Sequence, residues 1–235
     1  SIQGFVSIIM PALMGIVADR WMQAQKVLSL CHFLAGGAMI AASLYCIQAS
    51  DNVDFSTLFG LYSISVAFFM PTIALTNSVS YNALDKAGLD AVKTFPPIRV
   101  FGTVGFIVSM WIVDLSGWQT TSLQFLWSGI LSVVLALYSL TMPKCETNAN
   151  KSTGNIAQAL GLEAFKLFKN YRMALFFIFS MLLGCCLQIT NGYAGPFLQS
   201  FGINEIYQGT FGVEHSNILI SLSQMSETLC ILLIP

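Results

Sequence analysis

Long apolar runs, broken at intervals by charge, Pro, Gly or Asn, dominate the chain. Seven of them are long enough to form helices, approximately 1–18, 27–47, 55–76, 94–113, 122–142, 171–197 and 216–235. A membrane-spanning helix needs about 20 mostly apolar residues, and these runs match that length. The roughly ten-residue alternating segments of a transmembrane barrel do not. The pattern therefore predicts an all-α membrane protein with seven spans.

The polar intervals test this count. Arg20 and Lys26 follow the first span, Lys86 and Lys93 the third, and Lys144, Lys151, Lys166, Lys169 and Arg172 the fifth. The second, fourth and sixth intervals carry only acidic charge, in Asp51, Asp54, Asp114, Glu205 and Glu214. Only Arg99 falls inside a span, close to the basic face. By the positive-inside rule the basic intervals are cytoplasmic, and one missed or invented span would scramble the alternation. The fifth interval is the longest. Residues 144–154 read as a polar linker, and Gly161–Lys169 places apolar and basic residues at helical spacing, as in a short helix on the membrane surface.

Composition narrows the class further. Of 235 residues, 55% are hydrophobic and 9% charged, and the net charge is −1; mean hydropathy is +0.72. Soluble domains carry about 25% charged residues, so a water-exposed surface, a disordered chain and a nucleic-acid binder are all disfavoured. The external intervals hold no cysteine, which argues against a disulfide framework. No phosphate-binding loop, HExxH or GxSxG motif is present, so ATP-driven transport and an intramembrane enzyme are disfavoured, and two His with scattered Cys do not make a metal site. The chain does not begin with Met and starts and stops inside apolar runs, which predicts a piece of a longer protein.

Ionisable and amide side chains at membrane depth are costly, so each is a candidate site residue. Glu227 lies near the middle of the last span, and Gln224 precedes it on the same face. A carboxyl there can exchange a proton with the solute path, or serve as a protonated structural donor between helices. Arg99 sits little more than a turn inside the fourth span if that helix starts near Thr94, with Pro96 and Pro97 in its first turn. It either faces a solute path or snorkels to the headgroups. Thr103 and Phe106 follow it at i+4 and i+7, and Gly102 and Gly105 offer a neighbouring helix a close approach. In the sixth span Gln188 and Asn191 share a face and are followed by Gly192-Tyr-Ala-Gly-Pro196, which predicts a broken helix lining a cavity. These amides suit hydrogen bonding to a neutral polar solute, or alternatively to each other's helices. Asn77, Tyr81 and Asn82 end the third span near the interface, and His32 reads as structural.

The first cytoplasmic turn, Gly15-Ile-Val-Ala-Asp19-Arg20, resembles the loop between helices two and three of major facilitator superfamily transporters, although the following Gly is missing. The segments Met10–Asp19, Phe95–Phe106, Phe176–Gly184, Leu187–Asn191 and Ser223–Thr228 together resemble the bacterial nucleoside:proton symporter (nucleoside permease) family of that superfamily. The resemblance implies a bundle of the major facilitator type, with seven transmembrane helices of an expected twelve. Residues 1–142 would form the N-terminal bundle lacking its first helix (helices two to six), 143–170 the cytoplasmic linker, and 171–235 the start of the C-terminal bundle (helices seven and eight). It implies a multi-pass protein of the bacterial cytoplasmic (inner) membrane that imports nucleosides by proton symport with alternating access. The proton is the coupling ion, with no other cofactor and no obligatory protein partner; nucleoside and lipid bilayer are the partners. A sugar or oligosaccharide symporter and a non-transporting solute receptor on the same fold are the rival readings. The family's substrate contacts carry over to Arg99, Thr103, Phe106, Gln188, Asn191, Gln224 and Glu227, with Glu227 also coupling the proton. Gly15, Asp19 and Arg20 would belong to a cytoplasmic gate.

Overall fold

In a computed structural model the described residues are 2–50, 52–145, 162–203 and 206–233. Among them the chain is helical throughout. The α-helices are α1 (Ile2–Arg20), α2 (Ala24–Ala49), α3 (Phe55–Lys86), α4 (Ala91–Leu115), α5 (Leu123–Ser139), α6 (Tyr171–Ser200), the single turn α7 (Phe211–Glu214) and α8 (Ser216–Leu233). Six of these are long and apolar enough to cross a membrane, and α5 is a shorter apolar helix of 17 residues. The seven expected spans each have a helix. The expected surface helix is a 3-10 helix, Leu162–Lys169; most of the linker, 146–161, lies outside the described residues.

The helix ends follow local chemistry more than apolar composition, and several differ from expectation. Asp54 starts α3: its carboxylate accepts the Thr57 N–H and hydroxyl, both at 2.8 Å, filling a backbone donor left open at every helix start. The helix then runs ten residues past the expected end at Thr76. It stops where Gly88 takes φ 69° and the Gly88 and Leu89 amides bond back to Asp85 and Leu84, a Schellman stop. Helix α4 starts at Ala91, not Thr94, because the Asp90 carboxylate accepts the Val92 N–H at 3.0 Å. Pro96 and Pro97 therefore stand inside the helix rather than in its first turn. A second Schellman stop ends α4 at Gly117, φ 69°, with Gly117 and Trp118 bonded to Asp114 and Val113. The break expected after Asn191 does not occur. Helix α6 is continuous through Gly192 and Pro196, since a proline this close to the helix end removes only one bond before the chain turns into a 3-10 segment, Phe201–Ile203.

By compactness the chain divides into two units, Ser1–Phe95 with Thr120–Leu162, and Pro96–Gln119 with Glu163–Pro235. In the first, α2 packs on α3 and α5, and α1 on α3. Its core joins Ala18, Val27, Leu28, Cys31, Leu75, Val79 and Cys145. The contact of α2 with α5 is set by two glycines: a Cβ on Gly36 would lie 2.8 Å from the Gly129 carbonyl oxygen, and one on Gly129 would lie 2.6 Å from Ile40 Cγ1. Small residues let apolar helices approach where lipid supplies no hydrophobic drive. Hydroxyls tie the seam, with Ser29 donating to the Ala136 carbonyl at 2.7 Å, Ser132 to that of His32 at 2.9 Å and Ser43 to that of Ser122 at 2.9 Å. His32 is buried here against Ser132, a structural placement. In the second unit the body of α4 keeps company with α6, α7 and α8, and α6 buries none of its residues.

Candidate functional site

The seven expected substrate contacts all belong to the second unit. On α4, Arg99, Thr103 and Phe106 span about two helical turns and stay within one face; Thr103 is half-buried, Arg99 is exposed and Phe106 is 53% exposed. On α6, Gln188 and Asn191 are both exposed. On α8, Gln224 is half-buried and Glu227 exposed. Among the described residues, none of the side chains of Arg99, Gln188, Asn191, Gln224 and Glu227 has a hydrogen bond or ion pair. The structural readings of these residues, amide bonds between helices and a carboxylic acid serving as a fixed donor, thus find no partner among the described residues. Polar groups set in apolar helices without internal partners are held ready for something else, whether water, solute or a further helix.

Among the described residues no helix packs closely on Gly102 or Gly105, since a Cβ on either would meet nothing within 4 Å. Close approach belongs to Gly36 and Gly129 of the first unit instead. The residues expected at a cytoplasmic gate lie at the end of α1, with Gly15 and Arg20 half-buried and Asp19 exposed, and the chain turns there through Trp21 and Met22 amides bonded to the Val17 carbonyl.

A polar cluster that sequence reasoning missed ties α4 to the start of α8. Asp114 is 3% exposed. One of its oxygens accepts from His215 Nδ1–H, and the other accepts the Asn217 backbone N–H at 3.1 Å. That amide is one of the unpaired donors at the start of α8, where negative charge is favoured. Around it, the Gln119 side-chain amide donates to the Glu214 carbonyl at 3.0 Å and Ser216 donates to Gln119 Oε1 at 3.2 Å. One to two turns deeper, Trp111 Nε1–H donates to Ser221 Oγ at 2.8 Å. Asp114 was visible in the sequence only as an acidic residue of an external interval. Nothing marked His215, about a hundred residues later, as its partner.

Six helices are long and apolar enough to span a membrane, and three of them carry polar side chains without a partner among the described residues, as in a multi-span membrane protein. A family model described as "Nucleoside H+ symporter" matches residues 1–235, and the chain belongs to that family. It is 47% identical over its whole length to "Xanthosine permease" of Escherichia coli (strain K12), and 44% identical over 232 residues to "Nucleoside permease NupG" of the same organism. It also superposes on a crystal structure of nucleoside transporter NupG with TM-score 0.76 at 42% identity, and on that of a mutant form with TM-score 0.83 at 43% identity. Every one of these alignments covers 99–100% of this chain. The chain spans about half the length of these relatives, 54% of each permease and 56% of each solved chain.

Proposed function

We propose that the intact protein imports nucleosides across the bacterial cytoplasmic membrane by proton symport with alternating access. The observation that carries this is the set of polar side chains along α4, α6 and α8 without partners among the described residues, in a chain 44–47% identical to proteins named as a nucleoside and a xanthosine permease. In this reading the nucleobase stacks on Phe106, while Gln188, Asn191 and Gln224 bond to base and ribose edges. Arg99 and Thr103 complete the contacts from α4. Glu227 takes a proton from the outer side along with the solute and releases it inward, because the neutral carboxyl avoids the cost of a charge in the closed, dry state. Gly15, Asp19 and Arg20 act at the cytoplasmic gate. The bundles divide at the linker, with 1–142 before it and 171–235 after. The proton is the only cofactor required, and no obligatory protein partner enters the scheme.

Uptake of uridine, adenosine and xanthosine into proteoliposomes bearing the intact protein tests this. An imposed inward proton gradient drives accumulation against a nucleoside gradient in the unsubstituted protein. Glu227→Gln abolishes accumulation while leaving downhill exchange. Accumulation unchanged in that variant removes Glu227 from the coupling role. Competition by sugars but not by nucleosides replaces the substrate assignment with the oligosaccharide reading.

A further inference from the structure

The cluster at Asp114 occupies a particular place on the two helices it joins. Thr103 lies eleven residues before Asp114, about three full turns at 3.6 residues per turn, and therefore on the same face of α4. Gln224 lies seven residues after Asn217, about two turns, and therefore on the same face of α8. The external charge pattern puts Asp114, Gln119, Glu214, His215 and Asn217 at the outward ends of both helices. The ties between α4 and α8 thus form a ladder above the candidate contacts: Gln119 with Glu214 and Ser216, then Asp114 with His215 and Asn217, then Trp111 with Ser221. Asp114 is buried and its carboxylate takes two donors, His215 and the Asn217 amide, in charge-assisted hydrogen bonds, which makes it the strongest rung of the three.

We propose that Asp114, with His215 and the Asn217 amide, is an outward-side latch between α4 and α8. It closes the solute path above Thr103 and Gln224 and has to open before solute enters from outside. The proposal rests on the transport reading given above. Asp114 is a positioning residue here: it touches no solute and sets which side of the membrane the contacts face. An Asp at this place that served packing alone would not change access from one side.

Thiol labelling tests it in the intact protein reconstituted right side out, with the native cysteines replaced. Ser221 is fully buried, lies one turn below Asn217 and is nearly isosteric with cysteine, so Ser221→Cys reports access through the latch. A membrane-impermeant maleimide added outside labels it slowly while Asp114 is present. Asp114→Ala accelerates labelling about tenfold or more, the scale expected when a charged hydrogen bond is lost. His215→Gln, which leaves Asp114 able to hold the Asn217 amide, produces a smaller acceleration and covers the case in which Asp114→Ala fails to fold. Glu214→Gln, whose carboxylate is not part of the ladder, serves as the control. Labelling unchanged in both Asp114→Ala and His215→Gln overturns the latch. Gradient-driven uptake by the unsubstituted protein reports separately on the transport reading, so loss of that reading and loss of the latch are told apart.

Discussion

Phe106 is the aromatic surface of the proposed site, half-exposed on α4 with no ring partner among the described residues. Base–aromatic stacking is worth about 1–3 kcal/mol by alanine substitution, roughly ten- to a hundredfold in affinity. Phe106→Ala therefore weakens nucleoside binding by that factor, measured by calorimetry on the purified intact protein, whereas Phe106→Tyr retains most of it. A loss shared equally between nucleosides and free ribose would argue against stacking. At this scale the candidate residues are legible in the sequence: depth in the bilayer and helical spacing single out Glu227, Gln224, Arg99, Gln188 and Asn191, because an unneeded polar group in hydrocarbon is expensive. Asp114 and His215 were not legible. Their pairing joins residues about a hundred positions apart, and each is unremarkable in an external interval that water could have solvated.

Among the elements, α3 shows what a hydropathy pattern leaves out. Apolar composition marks the part of a helix inside the bilayer, and Phe55–Thr76 was read on that basis. The helix itself continues to Lys86 because Asn77, Tyr81 and Asn82 are compatible with helix and no stop intervenes before Gly88. The start of α3 is governed by Asp54, whose carboxyl is held below its ordinary value of 3.8 by hydrogen bonds from the Thr57 side chain and backbone, then from Ser56. A carboxyl lowered in the folded state stabilises above its unfolded value and loses that contribution as pH falls through the folded value. Protection of the Thr57 amide, its exchange relative to the intrinsic rate at each pH, is accordingly high at neutral pH and falls once the external medium is acidified below the ordinary carboxylate range. Asp54→Ala shows the low protection at every pH. Amide exchange in the intact protein, followed by mass spectrometry across that range, checks both. The seam of α2 with α5 makes a further prediction. Gly129→Val, placing methyls where Ile40 and the Gly36 carbonyl already stand, costs about 1–3 kcal/mol as overpacking, with Gly129→Ala nearer the lower end. Thermal unfolding of detergent-solubilised protein reads this directly.

For the whole molecule, the alternation of basic and acidic intervals predicts seven crossings; each expected span holds an apolar helix among the described residues, six of them long enough to cross and α5 shorter. That agreement has a simple cause. Bilayer thickness and the bias of Lys and Arg to one side act on the chain independently of tertiary contacts, so both are written locally. Grouping by compactness is not local. It places the body of α4 with α6 and α8, cutting between Phe95 and Pro96. No run of polar residues marks that cut, because it depends on side chains reaching across from helices far along the chain, Asp114 and Trp111 above all.

The facing glycines of α2 and α5 carry a mechanical meaning. With only hydrogens between the two backbones, a slide of one residue in either direction would drive a side chain into the gap, so the pair works as a single girder. Whatever travel the proposed import cycle demands has to be taken up elsewhere, by helices whose meeting points are polar and can be undone one bond at a time.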